Sequence, residues 1–181
     1  MFECVGEGRY SDVARPMGCD ALEDGRGVAV ADLNNDGLLD LVIGNNNARP
    51  TIYLNNQRRA GNWLRVDLDG GPGCGRDPLG ARVQLVVEHD GRPRTITRWV
   101  EAGSGYASQS EHTLHFGLGE ARAIESLSVT WPGRPTRRFS KDELGNVLNK
   151  SVSIDGGSMK IRTKPVGGTA AAQANQQVRG R

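Results

Sequence analysis

Hydrophobic and polar residues alternate in short runs along much of the chain, with turn residues between the runs. In residues 62–68, NWLRVDL, Leu64, Val66 and Leu68 fall on one face and Trp63, Arg65 and Asp67 on the other, which predicts a strand buried on one side with Trp63 capping an edge. The runs ARVQLVVE (81–88) and RTITRWVE (94–101) flank HDGR, in which Asp90-Gly91 is a two-residue hairpin turn. SLSVTWPG (126–133) alternates Leu127, Val129 and Trp131 with Ser and Thr and stops at a Pro-Gly turn. These segments predict an antiparallel β-sandwich or barrel-like domain over residues 61–154.

Upstream the pattern differs. GVAVADL (27–33) and LDLVIG (39–44) are short, β-branched and bounded by Gly25, Gly27 and Gly44, so they read as strand, loop, strand. The intervening loop carries Asp32, Asn34, Asp36 and Asp40, with Gly37 where the chain must turn. Calcium is a hard cation that takes about six to eight oxygens, and a loop offering oxygens at positions 1, 3, 5, 7 and 9 with glycine at 6 wraps it. Asp32, Asn34, Asp36, the Leu38 carbonyl and Asp40 supply that set. An EF-hand would need a glutamate at position 12 and flanking helices, whereas position 12 is Ile43 and the flanks are strands. The plainer alternative is an Asx-rich turn without metal, because Asp, Asn and Gly are what any turn uses.

The stretch GRGVAVADLNNDGLLDLVIGNNNARPTIYLNN (25–56) resembles an FG-GAP or VCBS-type repeat, a calcium-loop blade of integrin-like β-propellers. The resemblance implies that Asp32, Asn34, Asp36 and Asp40 ligate calcium between strands of the blade. It also implies that GRYSDVARPMGCD leads in and that PTIYLNN forms the outer strand. Only one copy of the loop is present, and a propeller needs about four to eight blades to close. The expectation is therefore that the chain is the C-terminal part of a longer protein, with upstream blades completing the propeller. The alternative is that the blade packs on the next module or on another subunit.

GNWLRVDL, PLGARVQL, GSGYASQSEHTLHFGLG and SLSVTWPG resemble the ASPIC/UnbV module, and its position after a calcium blade is the order of the cartilage acidic protein-like family. That resemblance implies an extracellular or cell-surface location and calcium-binding repeats, and no established activity for the module itself.

Composition limits the remaining choices. A hydrophobic fraction of 36% in 181 residues favours small modules, and 25 glycines with 8 prolines favour strands and tight turns over helices. Residues 156–181 carry Lys160, Arg162, Lys164, Arg179 and Arg181 and no acid. Removing these five from the 23 basic residues leaves 18 against 21 acidic, so the positive charge sits at the C-terminus. Residues 155–181 are expected to be a flexible basic tail, and no nucleic-acid partner is expected. No run of about 18 apolar residues is present, so no spanning helix is expected, and the first residues do not read as a secretion signal. Of three cysteines, Cys4 and Cys19 are the nearer pair for a disulfide, with reduced or packed thiols an equal alternative.

The segment AGSGYASQSEHTLHFG (102–117) offers Ser104, Ser108, Ser110, His112 and His115 as a rival hydrolase site, but it lacks GxSxG and a placed acidic partner. His112 and His115 are three apart, which on a strand puts them on opposite faces, and a solvent-facing histidine is the default. Tyr106 with Ser108 and Gln109 is a candidate ligand platform for a sugar or peptide. RPTRRFSK (134–141) reads as a solvated basic face, with polyanion binding together with the tail as the rarer reading. The combined expectation is a non-enzymatic calcium-binding module that meets a protein or glycan ligand, with a propeller-type blade at residues 1–60 and a β domain at 61–154.

Overall fold

The computed structural model of the chain describes residues 1–57, 61–89, 91–103 and 105–164. It is mainly β, as the alternation predicts. A hairpin of β1 (Phe2–Gly6) and β2 (Arg9–Asp12) comes first, followed by the antiparallel sheet β3 (Gly25–Ala31), β4 (Asp40–Asn45) and β5 (Thr51–Tyr53). Ala31 pairs with Asp40, Val30 with Leu41 and Val28 with Ile43, so the acidic loop is the connection between two paired strands. PTIYLNN supplies the outer strand β5, with Leu41 opposite Tyr53.

The most deeply buried side chains of the blade are acidic, and its strand residues Val30, Leu41, Val42 and Ile43 are only half-buried. Val28 and Ile52 are 47% and 55% exposed, whereas Asp32 and Asp40 are buried, at 5% and 1%. Its apolar faces therefore contribute little burial, and its buried side chains depend on partners for their charge.

The second module buries a core between two four-stranded sheets. One sheet runs β8 (Arg92–Trp99), β7 (Arg82–His89), β10 (Ile124–Thr130), β11 (Arg137–Ser140) and the other β9 (Leu114–Gly119), β6 (Asn62–Asp69), β12 (Lys150–Asp155), β13 (Lys160–Lys164). Leu64 and Val66 on β6, Val83 and Leu85 on β7, Phe116 on β9, Leu127 and Val129 on β10, and Val152 and Ile154 on β12 are fully buried in one cluster. Each such side chain is worth about 1.5–3 kcal/mol relative to exposure, so the module supplies most of the chain's hydrophobic stabilisation. Trp131 closes the cluster, with its indole N–H donating to the Asp69 carbonyl at 3.1 Å.

Three features differ from expectation. The pair β6–β12 is parallel, with Val66 opposite Val152, so the sandwich is mixed and not wholly antiparallel. Lys160–Lys164 pairs with β12 instead of belonging to the tail, and residues 165–181 lie outside the described part. The basic run becomes β11 and the start of the one-turn helix α1 (Lys141–Leu144), capped by Ser140 and Glu143 in a reciprocal pair. The hairpin of β7 and β8 has His89 opposite Arg92, which leaves two residues for the turn; Asp90 lies outside the described residues. All three cysteines are free thiols.

Candidate metal centre

The loop between β3 and β4 is held by its own carboxylates. Asp32 Oδ1 accepts the Asp36 amide at 3.0 Å and Oδ2 the Gly37 amide at 2.9 Å. Asn34 Oδ1 accepts the Asp36 amide at 3.1 Å, and Asp36 Oδ1 accepts the Leu38 amide at 2.8 Å. Asp40 ties the loop to both neighbours, because Oδ2 accepts the Leu33 amide and Oδ1 the Asn55 amide, at 2.9 and 2.8 Å. Gly37 has φ of +89°, the left-handed turn that position 6 requires. Asn35 shares that region at +58°, a conformation that asparagine tolerates better than most residues.

The sequence-predicted ligands therefore occupy one loop, with Asp32, Asn34 and Asp36 interlinked and Asp40 at its exit. Their chemistry fits a hard cation, since a carboxylate has about four lone-pair positions and no aspartate here spends more than three on recorded donors. Among the described residues, no three acidic, histidine or cysteine side chains converge closely enough to hold a metal as they stand. The Asn34 amide N–H₂ points at Asp36 Oδ2, 2.8 Å away, so a cation would require that side chain to present its oxygen instead.

The loop also has a partner that the spacing did not reveal. Arg65 and Trp63 project from the outer face of β6, and His115 stands opposite Arg65 on β9. Arg65 Nη1 donates to Asp32 Oδ2 at 2.9 Å and to Asn35 Oδ1 at 3.0 Å, while Nη2 donates to Glu111 Oε2 at 2.8 Å. Glu111 Oε1 in turn accepts the Asp32 amide at 3.2 Å. The Trp63 indole lies against Gly37 and is roughly parallel to the His115 ring, 15° between planes, and His115 Nε2 donates to the Gly37 carbonyl at 2.8 Å. Contrary to the default for an exposed histidine, His115 is half-buried in this contact.

The segment after the glycine-rich turn runs beside β3. Ser110 Oγ accepts the Val30 amide at 3.1 Å, and the Ala107 carbonyl approaches Gly27 so closely that a Cβ there would lie 2.6 Å from its oxygen. Part of the blade's edge is thereby covered by the second module. This close approach gives the glycine at position 27 a packing reason that strand propensity does not.

The weaker candidates are placed apart. Tyr106 is 86% exposed, Ser108 is half-buried beside Gly27, and the Gln109 amide donates to His112 Nε2 at 2.6 Å. His112 Nδ1 lies 3.7 Å from Asp77, so the two histidines face different neighbours. Ser104 lies outside the described residues. In the basic run, Arg137 pairs with Glu143, Lys141 with Glu125, and Arg134 donates to the Gly156 carbonyl. The Glu143 carboxyl is held below the usual range by the Ser140 amide first and Arg137 second, and the Lys141 ammonium is raised by Glu125.

Comparison with known proteins bears on the same two segments. Residues 25–61 match the FG-GAP repeat model and residues 71–152 the model described as ASPIC and UnbV. Cartilage acidic protein 1 of Xenopus tropicalis is 38% identical over 133 residues, 70% of this chain, and its Mus musculus counterpart is 37% identical over 137 residues, 71% of the chain. The chain spans about a fifth of the length of these relatives, 20% in each case. The chain thus carries matches to an FG-GAP repeat followed by an ASPIC and UnbV domain, and over 70% of its length it is homologous to cartilage acidic protein 1.

Proposed function

We propose that this chain is a non-enzymatic, calcium-binding module of an extracellular or cell-surface protein, serving interaction with a protein or glycan ligand. The observation that carries this reading is the burial of the Asp32 and Asp40 carboxylates in an oxygen-rich loop turned at Gly37, within the segment matched to the FG-GAP repeat. Such burial is costly without compensating charge and hydrogen bonds. Asp32, Asp36 and Asp40 would neutralise the ion, and Asn34 and the Leu38 carbonyl would complete its shell. When bound, calcium supplies positive charge and cross-links oxygens from both ends of the loop. The extracellular part of the reading draws on the relatives named cartilage acidic protein 1.

The affinity expected of such a site is of the extracellular type, on the order of 0.1–1 mM. Calorimetric melting in about 5 mM calcium against excess chelator tests it, because a ligand of the folded state alone raises the melting temperature by mass action. A rise that Asp36→Ala abolishes supports the reading. Identical melting of the unaltered chain in both conditions contradicts it.

A further inference from the structure

Arg65 is a buried cation facing the same loop. Its side chain is 8% exposed, that of Asp32 0% and that of Glu111 24%. Nη1 and Nη2 together reach oxygens of Asp32, Asn35 and Glu111, while Nε has no hydrogen-bond partner among the described residues. Arg65 is anchored in β6, between core residues Leu64 and Val66, so its charge is delivered by the second module and held there by the packed sheet. One guanidinium offsets one of the two carboxylates it touches. The other of that pair, together with Asp36 and Asp40, remains as surplus negative charge around the loop.

Resting on the calcium reading above, we infer that Arg65 is the loop's built-in counter-ion: it keeps the loop folded and docked on the second module without metal, and it weakens calcium binding by like-charge repulsion. Two physical arguments support this. A buried carboxylate that loses its ion-pair partner is strongly destabilised, so Asp32 needs Arg65 whenever no metal is present. A fixed positive charge bonded to one of a cation's ligands would lower the cation's affinity, and water screens this charge little because the guanidinium and its Asp32 partner are buried. Glu111 sets the strength of the effect, since it shares the guanidinium with Asp32 and offsets part of its charge. Arg65 is thus a positioning and affinity-setting residue, and not itself a calcium ligand.

The test is calcium titration calorimetry and melting on the full chain and on Arg65→Met, Arg65→Lys and Glu111→Gln. Arg65→Met is expected to melt lower than the unaltered chain in chelator, to gain more from calcium, and to bind calcium roughly tenfold more tightly. Arg65→Lys, which retains the charge, is expected to return the affinity to near that of the unaltered chain. Glu111→Gln keeps an acceptor oxygen and removes a charge, so it is expected to weaken calcium binding. If Arg65→Met binds calcium with unchanged or lower affinity while the unaltered chain binds, the inference fails and the metal reading stands. If the unaltered chain binds no calcium, both fail. Should Arg65→Met not fold under either condition, Glu111→Gln decides: unchanged or tighter binding overturns the inference, and weaker binding supports it.

Discussion

Gly37 lies against the indole of Trp63, so closely that a methyl group at Gly37 would fall 2.0 Å from Cε2 and 2.3 Å from Cζ2 and Nε1. One residue thus meets two demands: a left-handed backbone at φ +89° and a vacant side-chain position for a tryptophan from the other module. Neither demand alone would join the loop to the sandwich.

Gly37→Ala is therefore expected to lower stability by about 3 kcal/mol, combining the left-handed penalty with overpacking. Urea denaturation measures the loss. Because Trp63 is only 9% exposed, its fluorescence should shift to the red in native conditions if the contact opens before the module unfolds.

Asp40 has a structural duty separate from any metal. Its carboxylate accepts the amides of Leu33 and Asn55 while 1% exposed. Asp40→Ala leaves two amides without their acceptor and is expected to cost about 2–4 kcal/mol in chelator. Hydrogen exchange at Leu33 and Asn55 should accelerate more than at the β7 amides.

Asp155, at the end of β12, is held below the ordinary aspartate range, foremost by the Ser158 amide at 2.6 Å, with Gly157 and Arg162 contributing less. The folded value is lower than the unfolded one, so the stabilisation is present above the unfolded pKa and is lost as pH falls through the folded value. Asp155→Asn is expected to be less stable than the unaltered chain at neutral pH, and the difference should shrink as pH is lowered from about 5. Melting temperatures across that range check the sign.

Tyr106 provides a clean probe of ligand binding. At 86% exposure, Tyr106→Ala should change stability by no more than about 0.5 kcal/mol. A glycan or peptide interaction lost in this variant would then be a direct contact, and one retained at full strength would remove Tyr106 from the candidate surface.

Much of the architecture is legible because alternation is local. Leu64, Val66 and Leu68 can be assigned to the core from β6 alone, and Asp32 to Asp40 reveal a loop by spacing alone. The match to the FG-GAP repeat falls on that same stretch. What the sequence leaves hidden is what each outer face meets. Arg65 and Trp63 read as the solvent side of a strand, yet they cover the loop, because the identity of a tertiary neighbour leaves no mark on periodicity. Trp63, expected to cap an edge, instead sits beneath Gly37. The parallel pairing of β12 with β6 is hidden for the same reason, since the period-2 pattern is the same for either strand direction. The strand Lys160–Lys164 was masked by its charge, being a largely exposed strand without an apolar stripe.

The parallel β6–β12 pair also fixes an order of assembly. During synthesis β6 emerges long before β12, with β7 to β11 between them, so its parallel edge stays unpaired until nearly the whole module is available. Long-range pairings of this kind are slow, because the entropy of closing the intervening chain must be overcome before any contact offsets it. The acidic loop is made earlier still, and Arg65 reaches it from β6. In a growing chain Asp32 is thus made before its counter-charge Arg65, whose own strand is fully paired only once β12 has emerged.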